Sequence, residues 1–456
     1  MKRAFFVAVV TAVSITMTVA GSPLQFPRRI NMPALLLPET PPEWIYLYRI
    51  GHENPANLLP YLRPEILERE DLPPGWIPTQ CRLYAVWLVG DLAKPDLIDE
   101  LEVIAEAYLL RGQPPDLRAA HALTLAIERI RWRAMGNEAY LQEMMRWIQM
   151  PPPPKGASTE EQLRYRERVI AGSRALGWAR AREAVPVLIE LLRGEWVNNM
   201  SYPFLVRALA RIGDRRAMET LKREVRGWDW RLPAWQVPLE PYEPDPCLVY
   251  WQMRTEGMNT EQVIAELIRS MAQEAGDLQQ EEILERWIGM AAVPQLLRAL
   301  THPPEGKYVS GCRIVCARLL SKWGVKQAIP ALLALLRDEG QEESVRDYCA
   351  VALGRLGAKE ALEDLIAAAR QDEKRLLKYA GIEALGLIGD SRAEAVLLEC
   401  LKHREPSVRH IAAEALSTAG TASAIPALEL QLQVETDRDT RGQIELTLQA
   451  LRQKVR

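Results

Sequence analysis

Apolar side chains between residues 312 and 435 recur with helical spacing, and the pattern restarts at nearly constant intervals. Within the stretch 345–357, Val345, Cys349, Ala352, Leu353 and Leu356 fall on one helical face, and Gly357 supplies a left-handed stop. A second amphipathic helix follows, its stripe made of Ala361, Leu362, Leu365, Ile366 and Ala369. Comparable units begin at Cys312-Arg313, Leu377-Lys378 and Val408-Arg409. Their closing glycines stand at 324, 357, 389 and 420, steps of 33, 32 and 31 residues. A period of that size predicts a stacked solenoid, because neither helix of a unit can bury its stripe alone. Proline recurs six residues past the turn at Pro186, Pro294, Pro330 and Pro426, which places it in the first turn of each second helix.

The run Val345-Arg346 … Ala352-Leu353-Gly354-Arg355-Leu356-Gly357, with its repeats, resembles the HEAT repeat. The likeness is to the short bacterial form first associated with phycobilisome lyases. It is strongest over 312–435 and extends to 165–300. It implies an all-α, right-handed α-α superhelix, here of about eight or nine helical pairs.

The remainder of the chain is ordered around that array. Residues 1–20 read as an export signal: Lys2-Arg3 precede an uncharged run from Ala4 to Ala20, with small residues before Gly21. The run is short of the roughly 20 residues of a membrane span, and no later stretch is long enough. Cleavage before Gly21 would leave an exported protein, periplasmic or extracellular, with no stable span; retention would leave an N-terminal anchor. Residues 21–78 are rich in proline and aromatics and are expected to pack on the first repeats. Degenerate repeats cover 79–150, and the tetraproline within 151–159 reads as a stiff connector. Better repeats occupy 160–225, with Arg180 where later turns carry glycine, followed one period on by Gly213. The next equivalent position is Ile288, so the register breaks. An insertion at 226–259 accounts for the excess, repeats resume over 260–435, and 436–456 form a capping helix.

Composition narrows the function. The chain has 456 residues, 48% hydrophobic and 26% charged, and a formal net charge of −3, so nothing electrostatic favours nucleic acid. Five histidines leave few ligands or bases, and the di-iron hydroxylases built on HEAT repeats need several His-Glu pairs where this chain has His52-Glu53 alone. Cys312 and Cys316 have zinc-pair spacing without a second pair or a nearby histidine. No catalytic, cofactor-binding or metal residues are therefore assigned. The six cysteines are either buried thiols or partly disulfide-bonded. Arg313, Arg346, Lys378 and Arg409 form a basic ladder expected to pair with Asp347, Glu383 and Glu414.

The insertion alternates Trp228, Trp230, Trp235, Tyr242, Tyr250 and Trp251 with prolines. Trp228, Trp230, Trp235, Tyr242 and Trp251 are the candidate partner-binding residues, since tryptophan and tyrosine dominate interaction hot spots. The alternative is an irregular repeat whose aromatics fill a gap. The expected function is a non-enzymatic scaffold holding a protein or peptide on a concave face lined by second helices, exposing Lys326, Gln327, Glu363, Arg392 and Glu429. Glycan stacking on the insertion is a second reading. Tetrapyrrole lyase or isomerase activity is a third, implied only by the resemblance.

Overall fold

The computed structural model describes residues 42–68, 78–110, 117–194, 202–225, 245–274, 279–371 and 375–454. The export signal and most of the following proline-rich segment lie outside these. Among the described residues every regular element is helical, and consecutive helices stack as an all-α solenoid. The strong array consists of four helical pairs: Val309–Lys322 with Ile329–Arg337, Glu343–Arg355 with Leu362–Ala369, Arg375–Ile388 with Glu394–Cys400, and Pro406–Ala419 with Ile425–Val434. The helix Arg438–Lys454 closes it, burying Ile444, Leu448 and Leu451.

The predicted stripes are the core. Val345, Cys349, Ala352, Leu353 and Leu356 are all buried, as are Leu362 and Leu365 opposite them. Pro186, Pro294, Pro330 and Pro426 each sit in the first turn of a second helix, behind a short 3-10 turn. Leu47, Ile50, Leu58 and Leu62 share one apolar core with Tyr84, Ala85 and Leu88, so the described part of the proline-rich segment packs on the first repeats. The tetraproline ends one helix without separating two bodies. Gly172 beyond it fits so closely against Ile148 and Met144 before it that an added Cβ would lie 2.8 Å from Ile148 Cγ2.

Turn geometry refines the repeat positions. Gly213, Gly324, Gly357 and Gly389 have φ near +65 to +70°, and Arg180 adopts φ +52° where its unit lacks the glycine. Gly420 departs from this: its φ is −73°, so it ends its helix in extended rather than left-handed backbone. The position equivalent to these turns after Gly213 is Gly289, not Ile288. Leu284–Ile288 forms a π-helical turn, whose wider loop absorbs the extra residue.

The Ala-Leu-Gly motif sets the curvature. A Cβ on Gly354 would lie 2.6 Å from Ala384 Cα, and one on Gly386 2.8 Å from Ala415 Cα, so successive first helices touch backbone to backbone. Second helices are instead bridged by long side chains, Arg337 to Asp364 at 2.8 Å and Arg370 to Glu399 at 3.2 Å. The more closely spaced layer lies on the inside of a curved stack. First helices therefore line the concave side, and Lys326, Gln327, Glu363, Arg392 and Glu429 belong to the opposite layer, which corrects the expectation drawn from sequence. Replacing Gly354 with alanine is expected to cost about 1–3 kcal/mol by forcing these backbones apart. Chemical denaturation should show that loss beside a smaller one for Gly386→Ala, whose neighbouring backbone is slightly farther away.

Candidate binding groove on the first-helix face

Along each first helix the residues between the buried positions face the concave side. In the second unit of the array these are Asp347, Tyr348, Val351 and Arg355. They line a groove of about 420 Å³ with Arg318 and Ser321 of the preceding first helix and Leu376, Tyr379, Ala380 and Glu383 of the following one. The volume lies within the range of small-ligand or side-chain pockets. Its walls are mixed: Tyr348 is 41% and Leu376 57% exposed, whereas Ser321, Ala352 and Ala380 are buried at its base.

Asp347 is the unusual group. Its Oδ1 is buried and receives no hydrogen bond. Burial raises its carboxyl to about 6, Glu343 nearby adds to the rise, and Arg346 opposes it. Two other polar groups of the groove are occupied. Arg318 binds Glu281, with Nε 2.6 Å from Oε1. The Tyr379 hydroxyl donates to Glu405 at 3.0 Å and accepts from Arg375 Nε at 2.8 Å. The Arg375 guanidinium also lies 5.3 Å from the Tyr379 ring centre.

Arg313, Arg346 and Arg409 of the basic ladder are structural, but their partners differ from those expected. Arg346 Nε donates to the Leu336 carbonyl at 2.8 Å, and Arg313 to Gln341 at 2.7 Å. Arg409 reaches the carbonyls of His403 and Arg404 and pairs with Glu435. These side chains satisfy carbonyls left open where second helices end, and the polar loops that follow. Among the described residues Asp347 is thereby left without a cation bonded to it, and Glu383 and Glu414 are exposed.

Of the sequence-predicted contact residues, Trp228, Trp230, Trp235 and Tyr242 lie outside the described residues. Trp251 does not serve as a contact in this structure. It is fully buried in the helix Pro246–Arg254, which Asp245 caps through the Cys247 and Leu248 amides. Tyr250 is buried beside it, and Arg254 lies 5.0 Å from the Trp251 ring centre while bonding Glu266. The Asp245-Pro246 helix start and the apolar set Cys247, Tyr250 and Trp251 were the signals that this part continues the stack. All six cysteines are buried free thiols. Among the described residues no three His, Cys, Asp or Glu side chains converge as a metal requires, and no helix is long and apolar enough to cross a membrane. His52 of the lone His-Glu dipeptide packs on Tyr48, ring centres 4.2 Å apart.

Sequence reasoning missed the groove because it assigned Asp347 to an ion pair. The usable signal was the set of positions 347, 348, 351 and 355, which break the small-residue pattern around them.

Comparison with known proteins supports the architecture. A family model for HEAT repeats matches residues 293–386 and again 362–449. No curated protein matches the chain. Among solved structures, human deoxyhypusine hydroxylase in complex with glycerol is similar over 73% of this chain and 98% of its own, at 16% identity and a TM-score of 0.25. A similarity that low carries no argument about activity.

Proposed function

Residues 293–449 form a HEAT-repeat array, and from that premise we propose that the protein is an exported, non-enzymatic scaffold. Its first-helix face takes a segment of a partner protein. The observation that carries this reading is the groove around Asp347, where exposed Tyr348 and Leu376 flank a half-buried carboxylate with one oxygen that accepts no hydrogen bond from the described residues. Aromatic and aliphatic side chains around a few polar groups favour a peptide, and the rigid stack beneath them limits the entropy lost on binding. Export is supported by Lys2-Arg3 and the uncharged run after them.

A photo-crosslinking amino acid at position 348 should trap the partner in the envelope fraction of the native cell, and one at Glu363 in the second-helix layer should not. Equal trapping at both positions, or trapping at Glu363 alone, would place the partner elsewhere. Leu376→Asp should abolish the crosslink at 348 while leaving the melting temperature within a few degrees, since Leu376 is exposed.

A further inference from the structure

We propose that the groove receives an arginine side chain of the bound segment, with Asp347 as its carboxylate partner and Tyr348 as the ring beside it. This rests on the scaffold reading for the source of the arginine, though the site is defined by its own chemistry. A carboxylate has acceptor capacity for two parallel N–H donors, and a guanidinium presents such donors in one plane. Among the described residues none donates to Asp347 Oδ1, and the half-buried side chain lines the cavity. Tyr348, next in sequence and 41% exposed, lines the same cavity and offers a face on which a guanidinium stacks.

The charges around the groove allow a cation. Glu383 enters from the following helix, and Glu343 lies near Asp347 on its own helix. Arg318, on the preceding helix, is held by Glu281, and Arg346 is turned to the Leu336 carbonyl. Arg355 stands two turns along from Asp347, about 12 Å at the rise of an α-helix.

The chain builds the same arrangement from its own residues elsewhere. Arg375 lies over Tyr379 and bridges to Glu405 at 3.4 Å. Arg254 lies over Tyr250 while bonding Glu266 and Glu274. Asp347 and Tyr348 present the carboxylate and the tyrosine of that triad with no arginine among the described residues bonded to the carboxylate.

Isothermal titration of the mature chain with N-acetyl-arginine amide tests the site, with the uncharged, near-isosteric N-acetyl-citrulline amide as the control. Saturable binding is expected for the arginine compound at pH 7.5 and none for citrulline. Asp347→Asn, which keeps the side-chain shape, should weaken binding on the order of tenfold or more, and Tyr348→Ala should weaken it less. Dropping to pH 5 should weaken wild-type binding about tenfold, because a carboxyl with a value of about 6 is then mostly protonated. Equal binding of citrulline, unchanged binding by folded Asp347→Asn, or no saturable binding would overturn the assignment. A partner trapped at position 348 without arginine-amide binding would leave the scaffold standing and remove this site. Asp347-dependent arginine binding with no partner trapped would do the reverse.

Discussion

Leu353→Ala is expected to lower the stability of its unit by about 2–5 kcal/mol, the range for a buried leucine cut back to alanine. Leu353 is fully buried, and its neighbour Gly354 prevents the site from collapsing onto the cavity. Gly354 already holds the first helices at backbone contact, with its ideal Cβ 2.6 Å from Ala384 Cα. The surroundings therefore have little room to relax, which favours the upper part of that range. Repeat arrays open locally, so the measurement is amide hydrogen exchange read separately over helices 343–355 and 375–388. Protection should fall in both, because each covers the other, and fall less at the N-terminal repeats. Loss confined to one helix, or none, would contradict the assigned packing. Leu376→Ala on the groove rim should change protection by no more than about 0.5 kcal/mol, since that side chain is already 57% exposed.

Glu435→Ala should destabilise the end of the array by about 3–5 kcal/mol, through the Arg409 charge it strands. The Glu435 side chain is fully buried and that of Arg409 11% exposed. Two bonds join them, at 2.6 and 2.7 Å, and Glu435 also accepts from the Thr436 and Asp437 amides. That cost is the penalty of an unpaired buried charge and not the net contribution of the pair. An Arg409→Met, Glu435→Leu double variant is accordingly expected to lose far less than either single truncation. The pair also sets a pH dependence. Arg409 holds the Glu435 carboxyl down at about 2, against an unfolded value of about 4.3. A depressed carboxyl contributes stability that is present above its unfolded value and lost as pH falls through its folded value. The wild type should therefore weaken between about pH 4.5 and 2 at the C-terminal repeats. In Glu435→Ala that part of the slope should be missing. A wild-type slope retained in the variant would assign it to other carboxylates.

Much of this architecture was legible because each unit is a local statement. The 3.6-residue stripe, the left-handed glycine and the proline in the first helical turn depend on neighbours a few residues away, and Val345 to Leu356 repeats that grammar in plain form. Even the departures were partly visible: Arg180 stands where a glycine should and takes the left-handed backbone itself. Where the spacing drifted, at Ile288, the sequence alone could not show that a π-helical turn moves the stop to Gly289.

Which face of the stack is concave depends on distances between units rather than on any pattern within one. Gly354 against Ala384 and Gly386 against Ala415 decide it, because small residues let one layer close while Arg337–Asp364 and Arg370–Glu399 hold the other apart. The fate of charged groups is likewise tertiary. Arg346 could equally have bonded Asp347 in sequence terms, but the open carbonyl of Leu336 lies within its reach and takes it. Asp347 then lines the groove with no donor to its Oδ1 among the described residues. Trp251 shows the converse case. An aromatic in a proline-rich stretch reads as a contact residue until the Asp245 cap turns its segment into a helix and the stack covers it. The sequence by itself determined the repeat, its period and its core. Only the folded stack decided which surface curves inward and which carboxylate is left without a donor among the described residues, because both follow from how units approach one another.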